Sequence, residues 1–413
     1  MRIFWLNTES TESPMTLLYS NNTPTRQLLF PPEIVKKIID YLPRSSLPSI
    51  SHVSQLWYAT TMPILYKHIY IRTLPHWIAL VKTVSNPQFQ FGSHITSLVL
   101  KPSPKLISAQ LTSYLNQTVV ANDDQLQPST RGYVRLERVN FNLTGLEGID
   151  TPMSDQQQQQ QQQAHENYLE MDDTEKEYEW LTLVTTDQMV SVLSQCPGLE
   201  YLYISGCENL QDDVLVQLAN AKKKYPNHAR PLKGIWISLL RDLTPVAIES
   251  LMRFEKTQFG TSNLRHLDLG YNMNMSQQSL EKLIVYWGRT LTHIRLDTIY
   301  EVSDQVVTAI ATHCTKLKLL HVSRCWNITN SSMRLLSSSC KQLRYVSLAF
   351  LNQVDENGIR HLVQSLPDLQ WLNITGCGIN PLFKPLVLES FANYRRQHAL
   401  KPIYMQDGSV NLI

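Results

Sequence analysis

The most regular feature of the chain is a six-residue unit with aliphatic side chains at its first, fourth and sixth positions. It opens at Leu199, Leu232, Leu264, Leu291, Leu317, Leu343 and Leu369, so the spacings are 33, 32, 27, 26, 26 and 26 residues. Three residues on stand Leu202, Ile235, Leu267, Ile294, Leu320, Val346 and Leu372, and five on stand Ile204, Ile237, Leu269, Leu296, Val322, Leu348 and Ile374. Such alternation predicts a strand with one face buried. The apolar period then lengthens to that of a helix, with Leu215/Leu218, Ile248/Leu251, Leu280/Leu283, Val307/Ile310, Met333/Leu336 and Ile359/Leu362 marking one face. Ahead of five of these helices stand Thr244, Ser276, Ser303, Thr329 and Asp355, whose side-chain oxygens can accept the unpaired amide hydrogens of a helix start. Each unit therefore predicts strand, turn, helix. A single unit cannot bury its apolar strand side and helix face alone, so neighbours must stack into a continuous core as a curved solenoid.

Outside the regular array the pattern changes. Two weaker units precede it, at Ile95, Leu98 and Leu100 and at Leu136, Val139 and Phe141. A glutamine run at 156–163 and an acidic run from Glu166 to Glu179 follow them. The stretch 145–178 lacks the apolar residues that would offset its ordering entropy and reads as a disordered insertion. Near the start, Ile34, Val35, Ile38, Ile39 and Leu42 recur at helical spacing, with Pro31 and Pro32 suited to the first turn and Pro43 ending it. A second short helix can start at Ser46, and a third can hold Val53, Leu56 and Trp57. Three short helices cannot enclose so many large apolar groups, so some are left for a partner or for capping the solenoid. Beyond 381 the leucine columns stop, and Phe383, Leu386, Phe391 and Tyr394 predict a C-terminal cap.

Composition narrows the function classes. With 37 basic and 35 acidic residues the formal charge is +2, so no overall field draws the chain to nucleic acid or anionic lipid. Ile3 to Leu6 is too short for a secretory apolar region and no later stretch approaches a membrane span, so we expect an intracellular protein of cytoplasm or nucleus. The six cysteines fall in two columns of the repeat, Cys196, Cys314 and Cys340 before the strand and Cys207, Cys325 and Cys377 after it. That phase marks them as small core residues. There is no Cys-x-x-Cys pair, no Gly-x-Ser-x-Gly elbow and no phosphate-cradling glycine loop, so neither zinc, another cofactor nor catalysis by the chain itself is expected. The run Lys222 to Lys224 complements a helix dipole, although three cations also suit a nuclear signal.

Two stretches carry a family resemblance. The segment from Cys314 to Cys325 is similar to the cysteine-containing leucine-rich repeats of F-box proteins and of the fungal mitotic-exit antagonist family, and residues 29–69 resemble the F-box, with Phe30 and Pro48 as departures. The resemblance implies an α/β leucine-rich-repeat solenoid, a right-handed horseshoe with parallel strands inside and helices outside, behind an all-α three-helix F-box. The expected organisation is a disordered tail at 1–27, the F-box at 28–70, a linker with the first irregular repeats at 71–144, the insertion at 145–178, repeats at 179–380 and the cap at 381–413. It further implies docking on the Skp adaptor, and through it cullin, by Pro31, Ile34, Leu42, Leu47, Val53, Ser54, Trp57 and Tyr66.

Within such a repeat the residues between the inward leucines point to the concave face. They include Tyr201, Tyr203, Trp236, His266, Asp268, His293, Arg295, His321, Tyr345, Trp371 and Asn373, rich in the types that dominate interfaces. Two readings stay open for them, a surface for a protein substrate and an aromatic ladder that packs on itself. The columns have no basic stripe for nucleic acid, and the three histidines lack carboxylates at matching spacing for a metal. The function expected is substrate recognition for an SCF-type cullin ubiquitin ligase; the alternative is a protein that sequesters a signalling partner on the same face without ligase coupling.

Overall fold

Proline chemistry starts the first helices among the described residues. The computed structural model describes residues 31–101, except 87 and 90, and 179–407. The expected tail, Phe30, the weaker unit at Leu136 to Phe141 and the 145–178 insertion lie outside the described residues. In the first of two units, α1 (Pro32–Tyr41) opens on proline, whose missing amide hydrogen belongs to an unpaired helix end anyway. A 3₁₀ turn (Arg44–Ser46) leads into α2 (Leu47–Ile50), where Pro48 occupies the first turn. The third helix, α3 (Gln55–Lys67), starts behind Ser54, whose Oγ accepts from the Trp57 amide at 3.4 Å. Val53 sits in the turn before α3 rather than in it. Val35, Ile39 and Leu47 form the core of this unit, and Leu42, Leu56, Trp57, Ile64 and Leu65 pack around it.

Among the described residues the second unit is built on one sheet of ten parallel strands in sequence order. They are β1 (His68–Ile71), β2 (Ser97–Leu100), β3 (Tyr201–Tyr203), β4 (Gly234–Trp236), β5 (His266–Asp268), β6 (His293–Arg295), β7 (Leu319–His321), β8 (Tyr345–Ser347), β9 (Trp371–Asn373) and β10 (Tyr404–Gln406). Leu202, Ile235, Leu267, Ile294, Leu320, Val346 and Leu372 stand in register across β3 to β9, and all are buried. Each fully buried aliphatic side chain of this column stabilises the array by about 1.5–3 kcal/mol. The first weaker unit is β2, and β2 pairs directly with β3. Two strands lie outside the leucine columns: β1, from a stretch expected inside the helix cluster, and β10, from the cap.

Helices α4 (Leu74–Ser85), α5 (Thr186–Ser194), α6 (Asp213–Lys224), α7 (Pro245–Phe259), α8 (Gln277–Trp287), α9 (Asp304–His313), α10 (Asn330–Ser339), α11 (Glu356–Ser365) and α12 (Lys384–Gln397) alternate with the strands. Thr244, Ser276, Ser303, Thr329 and Asp355 all cap as expected, each side chain accepting a backbone amide from the first turn. Every apolar pair predicted for the helix faces is buried. The cap is held by Arg395 on α12. Its guanidinium donates to the carbonyls of Val363 at 2.6 Å, Leu366 at 3.0 Å, Pro367 at 3.0 Å and Lys401 at 2.6 Å. The carbonyls of Val363 and Leu366 are among those a helix end leaves unpaired.

The turn after each strand from β3 to β9 repeats one backbone conformation. Gly206, Leu239, Tyr271, Thr298, Arg324, Phe350 and Gly376 all take φ between 59° and 86°. That region costs a residue with a Cβ about 1–2 kcal/mol. A hydrogen-bond ladder enforces it, since the amide at this position reaches a carbonyl of the next rung: Leu239 to Gly270 at 3.0 Å, Tyr271 to Asp297 at 2.8 Å, Arg324 to Ala349 at 2.8 Å and Phe350 to Thr375 at 2.7 Å. The cysteines of the second column close the same turn. Cys325 and Cys377 donate from Sγ to the carbonyls of Leu296 and Leu348, at 3.2 and 3.1 Å. Burial raises the pKa of Cys196, Cys325, Cys340 and Cys377 to about 12 and raises Cys207 and Cys314 as well, so all six are thiols at neutral pH.

Candidate functional site

The helix cluster exposes apolar side chains that its own core does not use. On α1, Val35 and Ile39 face inward, while Ile34, Ile38 and Tyr41 form a neighbouring stripe at helical spacing. Ile34 is 41% exposed, Ile38 37% and Tyr41 90%, and Val53 in the turn before α3 is 66% exposed. Tyr58 is exposed as well. Of the residues expected to meet an adaptor, Pro31, Ile34, Val53 and Ser54 are exposed, and Leu42, Trp57 and Tyr66 are half-buried. Leu47 is a correction. At 2% exposure it is enclosed in the core with Val35 and Ile39 and offers a partner nothing. Ile38, Tyr41 and Tyr58 were missed, although the unbroken apolar spacing of α1 already contained Ile38.

On the sheet face the expected columns are present, but their side chains largely engage one another. The Trp236 indole lies across Gly234, where a Cβ would stand 2.5 Å from the ring. It is tilted against Tyr203 at 5.9 Å and stacks on His266 at 5.3 Å, and His266 stacks on His293 at 4.3 Å. Further along, His321 stacks on Trp371 at 5.9 Å, and Tyr345 Oη donates to Gln370 Oε1 at 2.8 Å. Asp268, His293, His321, Trp371 and Asn373 are buried by their neighbours on the face, which corrects their expected availability to a partner. Adjacent rungs stand only about 5 Å apart, so a ring wider than that settles on its neighbour. Asp268 and Asn373 also serve their own turns, accepting the amides of Gly270 at 3.1 Å and Thr375 at 3.0 Å. Tyr201, Tyr203, Trp236, His266, Arg295 and Tyr345 keep part of their surface in solvent.

A charged cluster sits within this ladder. Arg295 reaches Asp268 at 3.3 Å and Asp297 at 3.4 Å, and His321 Nδ1 stands 3.8 Å from Asp297, too long for a hydrogen bond. Burial would raise the Asp297 carboxyl, but His321 and Arg295 outweigh it and hold its pKa at about 2. Burial raises Asp268, with Arg295 opposing, and burial lowers His321 despite its acidic neighbours. The cluster is therefore a fixed internal network rather than a set of free charges.

His293 makes this face sensitive to acid. Burial, with His266, Lys318 and His321 nearby, lowers its pKa from 6.5 to about 3. Its Nδ1 lies 2.8 Å from Thr292 Oγ1. In the unfolded chain the imidazole binds a proton below 6.5, whereas in the folded chain it stays neutral down to about 3. Its contribution to stability is thus complete above 6.5 and is lost as pH falls towards 3, by about 2 kcal/mol at pH 5. Leu319 occupies the same column one rung on, so His293→Leu is expected to fold and to remove that part of the loss between pH 7 and pH 5 in urea unfolding. An unchanged pH dependence in the variant would show that the titrating group lies elsewhere.

Among known proteins, residues 28–67 match the F-box domain family. By structure the chain is similar to the Rad7 and Elc1 complex of yeast, with 13% identity and a TM-score of 0.36 over 85% of this chain and 89% of that one. It is also similar to a leucine-rich-repeat protein of Leptospira interrogans, with 16% identity and a TM-score of 0.30 over 52% of this chain and 62% of that one. F-box domains bind Skp1-type adaptors and serve substrate recognition. The chain carries such an F-box domain at residues 28–67, ahead of an α/β solenoid with leucine-rich-repeat spacing.

Proposed function

We propose that the chain is the substrate-recognition subunit of an SCF-type cullin ubiquitin ligase. The observation that carries this reading is the outward apolar stripe of Ile34, Ile38 and Tyr41, with Val53 beside the next helix, on a segment that matches the F-box. A soluble surface gains nothing from keeping such side chains in water unless a partner covers them. In this reading the stripe docks on a Skp1-type adaptor, and the adaptor brings cullin. The repeat array holds a protein substrate. Holding the substrate raises the local concentration of its lysines near a charged conjugating enzyme, so the chain contributes binding and the chemistry belongs to that enzyme.

The test is co-expression of the full chain with a Skp1-type adaptor and cullin, followed by size-exclusion chromatography. A stoichiometric three-component complex is expected. Elution of the chain without adaptor would refute the reading, and adaptor binding without cullin recruitment would point to sequestration instead.

A further inference from the structure

We propose that the array takes hold of its protein target along the ridge of turns at the strand ends. The target segment sets apolar side chains against Tyr300, Trp326 and Phe350 and a carboxylate against Arg324. This rests on reading the array as the target-binding part of the chain and names the surface and the chemistry it selects.

The first argument is the left-handed column of turn residues. The first and last of these turns, after β3 and β9, use Gly206 and Gly376, which adopt positive φ without strain. The turns between them place residues with a Cβ there instead, including Tyr271, Arg324 and Phe350. The amide ladder would hold a glycine equally well, and burial does not repay the large side chains, since Tyr271, Arg324 and Phe350 are all exposed. The contacts these side chains do make stay on the ridge itself, Phe350 over the Gly376 turn and Arg324 over Phe350, and strained positions kept for so little burial are where function is to be sought.

The second argument is what stands beside that column. Two positions further along successive rungs come Met273, Tyr300 and Trp326, each 45–47% exposed. Tyr300 and Trp326 stack at 5.2 Å, and the Arg324 guanidinium lies over the Phe350 ring at 5.0 Å. The stacking pre-orders the side chains, so less freedom is lost on binding. Aromatic residues, methionine and arginine are the types enriched at protein interfaces. The sheet face differs in exposure, because Asp268, His293, His321, Trp371 and Asn373 are buried there while Tyr300, Trp326 and Phe350 keep 41–47% of their surface in solvent.

The third argument is charge. Among the described residues Arg324 has no ion-pair partner, and its ring contact leaves the guanidinium hydrogens available for an acceptor. One guanidinium matches one carboxylate, whereas phosphate is recognised by clusters of arginines. An acidic side chain flanked by apolar ones is therefore the complement.

The test pans a phage-displayed random-peptide library on the full chain and measures the best peptide by fluorescence polarisation. Enriched peptides should carry Asp or Glu beside apolar residues. Trp326→Ala and Phe350→Gly should each weaken binding by roughly tenfold or more. Arg324→Glu should do the same, with recovery when the peptide's acid is replaced by lysine. The melting temperature of Phe350→Gly and Tyr271→Gly should equal or exceed that of the parent, which separates lost binding from lost folding. The proposal is overturned if no peptide is enriched, if the peptides lack an acid, if Trp326→Ala binds like the parent, or if Trp236→Leu on the sheet face costs more than Trp326→Ala. Adaptor capture by the parent is measured alongside, so a chain that binds ridge peptides but not adaptor sinks the receptor reading alone.

Discussion

Ile38→Asp in α1 is expected to weaken capture of a Skp1-type adaptor by about 30- to 1,000-fold, the equivalent of 2–4 kcal/mol, while the chain stays folded. The side chain is partly in water already and lies off the Val35, Ile39 and Leu47 core, so an aspartate there meets solvent in the free chain. In a docked complex the same carboxylate would be buried without a partner. Tyr41→Asp and Val53→Asp should act in the same direction, and more cleanly for stability, because they are more exposed still. Truncating Trp57 or Leu42 would be a poor substitute. Both pack on the small core, and large-to-small changes there cost about 2–5 kcal/mol, so adaptor binding would disappear through unfolding. The measurement is a pull-down with purified adaptor, with limited proteolysis as the folding control. An Ile38→Asp chain that captures adaptor as well as the parent does would remove the outward stripe from consideration.

How much of this was legible in the sequence depends on which physical term decides each feature. The rungs from Leu199 onward, the caps from Thr244 to Asp355 and the buried helix faces were all readable, because each is a local preference repeated at a fixed phase. Strands β1 and β10 were not. His68–Ile71 and Tyr404–Gln406 lack the leucine column, and their strand state is supplied by pairing with β2 and β9. Spacing showed that α1 is apolar on adjoining sides but not which side faces the core, hence Ile38 overlooked, whereas Leu47 on α2 was assigned outward on the family resemblance and its packing on Val35 and Ile39 is a contact between helices that the pattern does not carry. Alternation located the sheet-face columns correctly, yet whether His293 or Trp371 meets solvent is decided by rings one and two rungs away, at separations of 25 residues or more in sequence. The strained turns left a single trace, the glycines at Gly206 and Gly376, since nothing in Tyr271 or Phe350 announces positive φ.

The lysine run on α6 shows the same limit and yields the second large effect. Lys222→Met is expected to destabilise the array by about 3 kcal/mol, while Lys223→Met and Lys224→Met change little. The three lysines look equivalent as cations at a helix end, but Lys223 and Lys224 are exposed and Lys222 is fully enclosed. Its ammonium donates to the carbonyls of Pro197 at 3.2 Å, Leu199 at 2.6 Å and Arg230 at 2.5 Å, joining the turn before β3 to the loop before β4. Burial draws its pKa down to about 8 against the attraction of Glu255 and Glu200, so it is still charged at neutral pH. Glu255 is itself held by the Leu232 amide at 2.8 Å and the Trp287 indole at 3.2 Å, which ties β4 and α8 into the same network. Methionine keeps the volume and removes the cost of burying an ammonium, but it leaves three carbonyls without a donor and Glu255 without its counter-charge. The loss of those partners outweighs the relief, because three buried acceptors and a buried carboxylate lose the charge that satisfied them. Thermal unfolding of the full chain reads the total, and hydrogen exchange should place the loosening in the rungs around β3 and β4. If Lys222→Met melts with Lys223→Met, the carbonyl contacts add nothing beyond what water supplies in the unfolded chain, and the run acts only on the helix dipole.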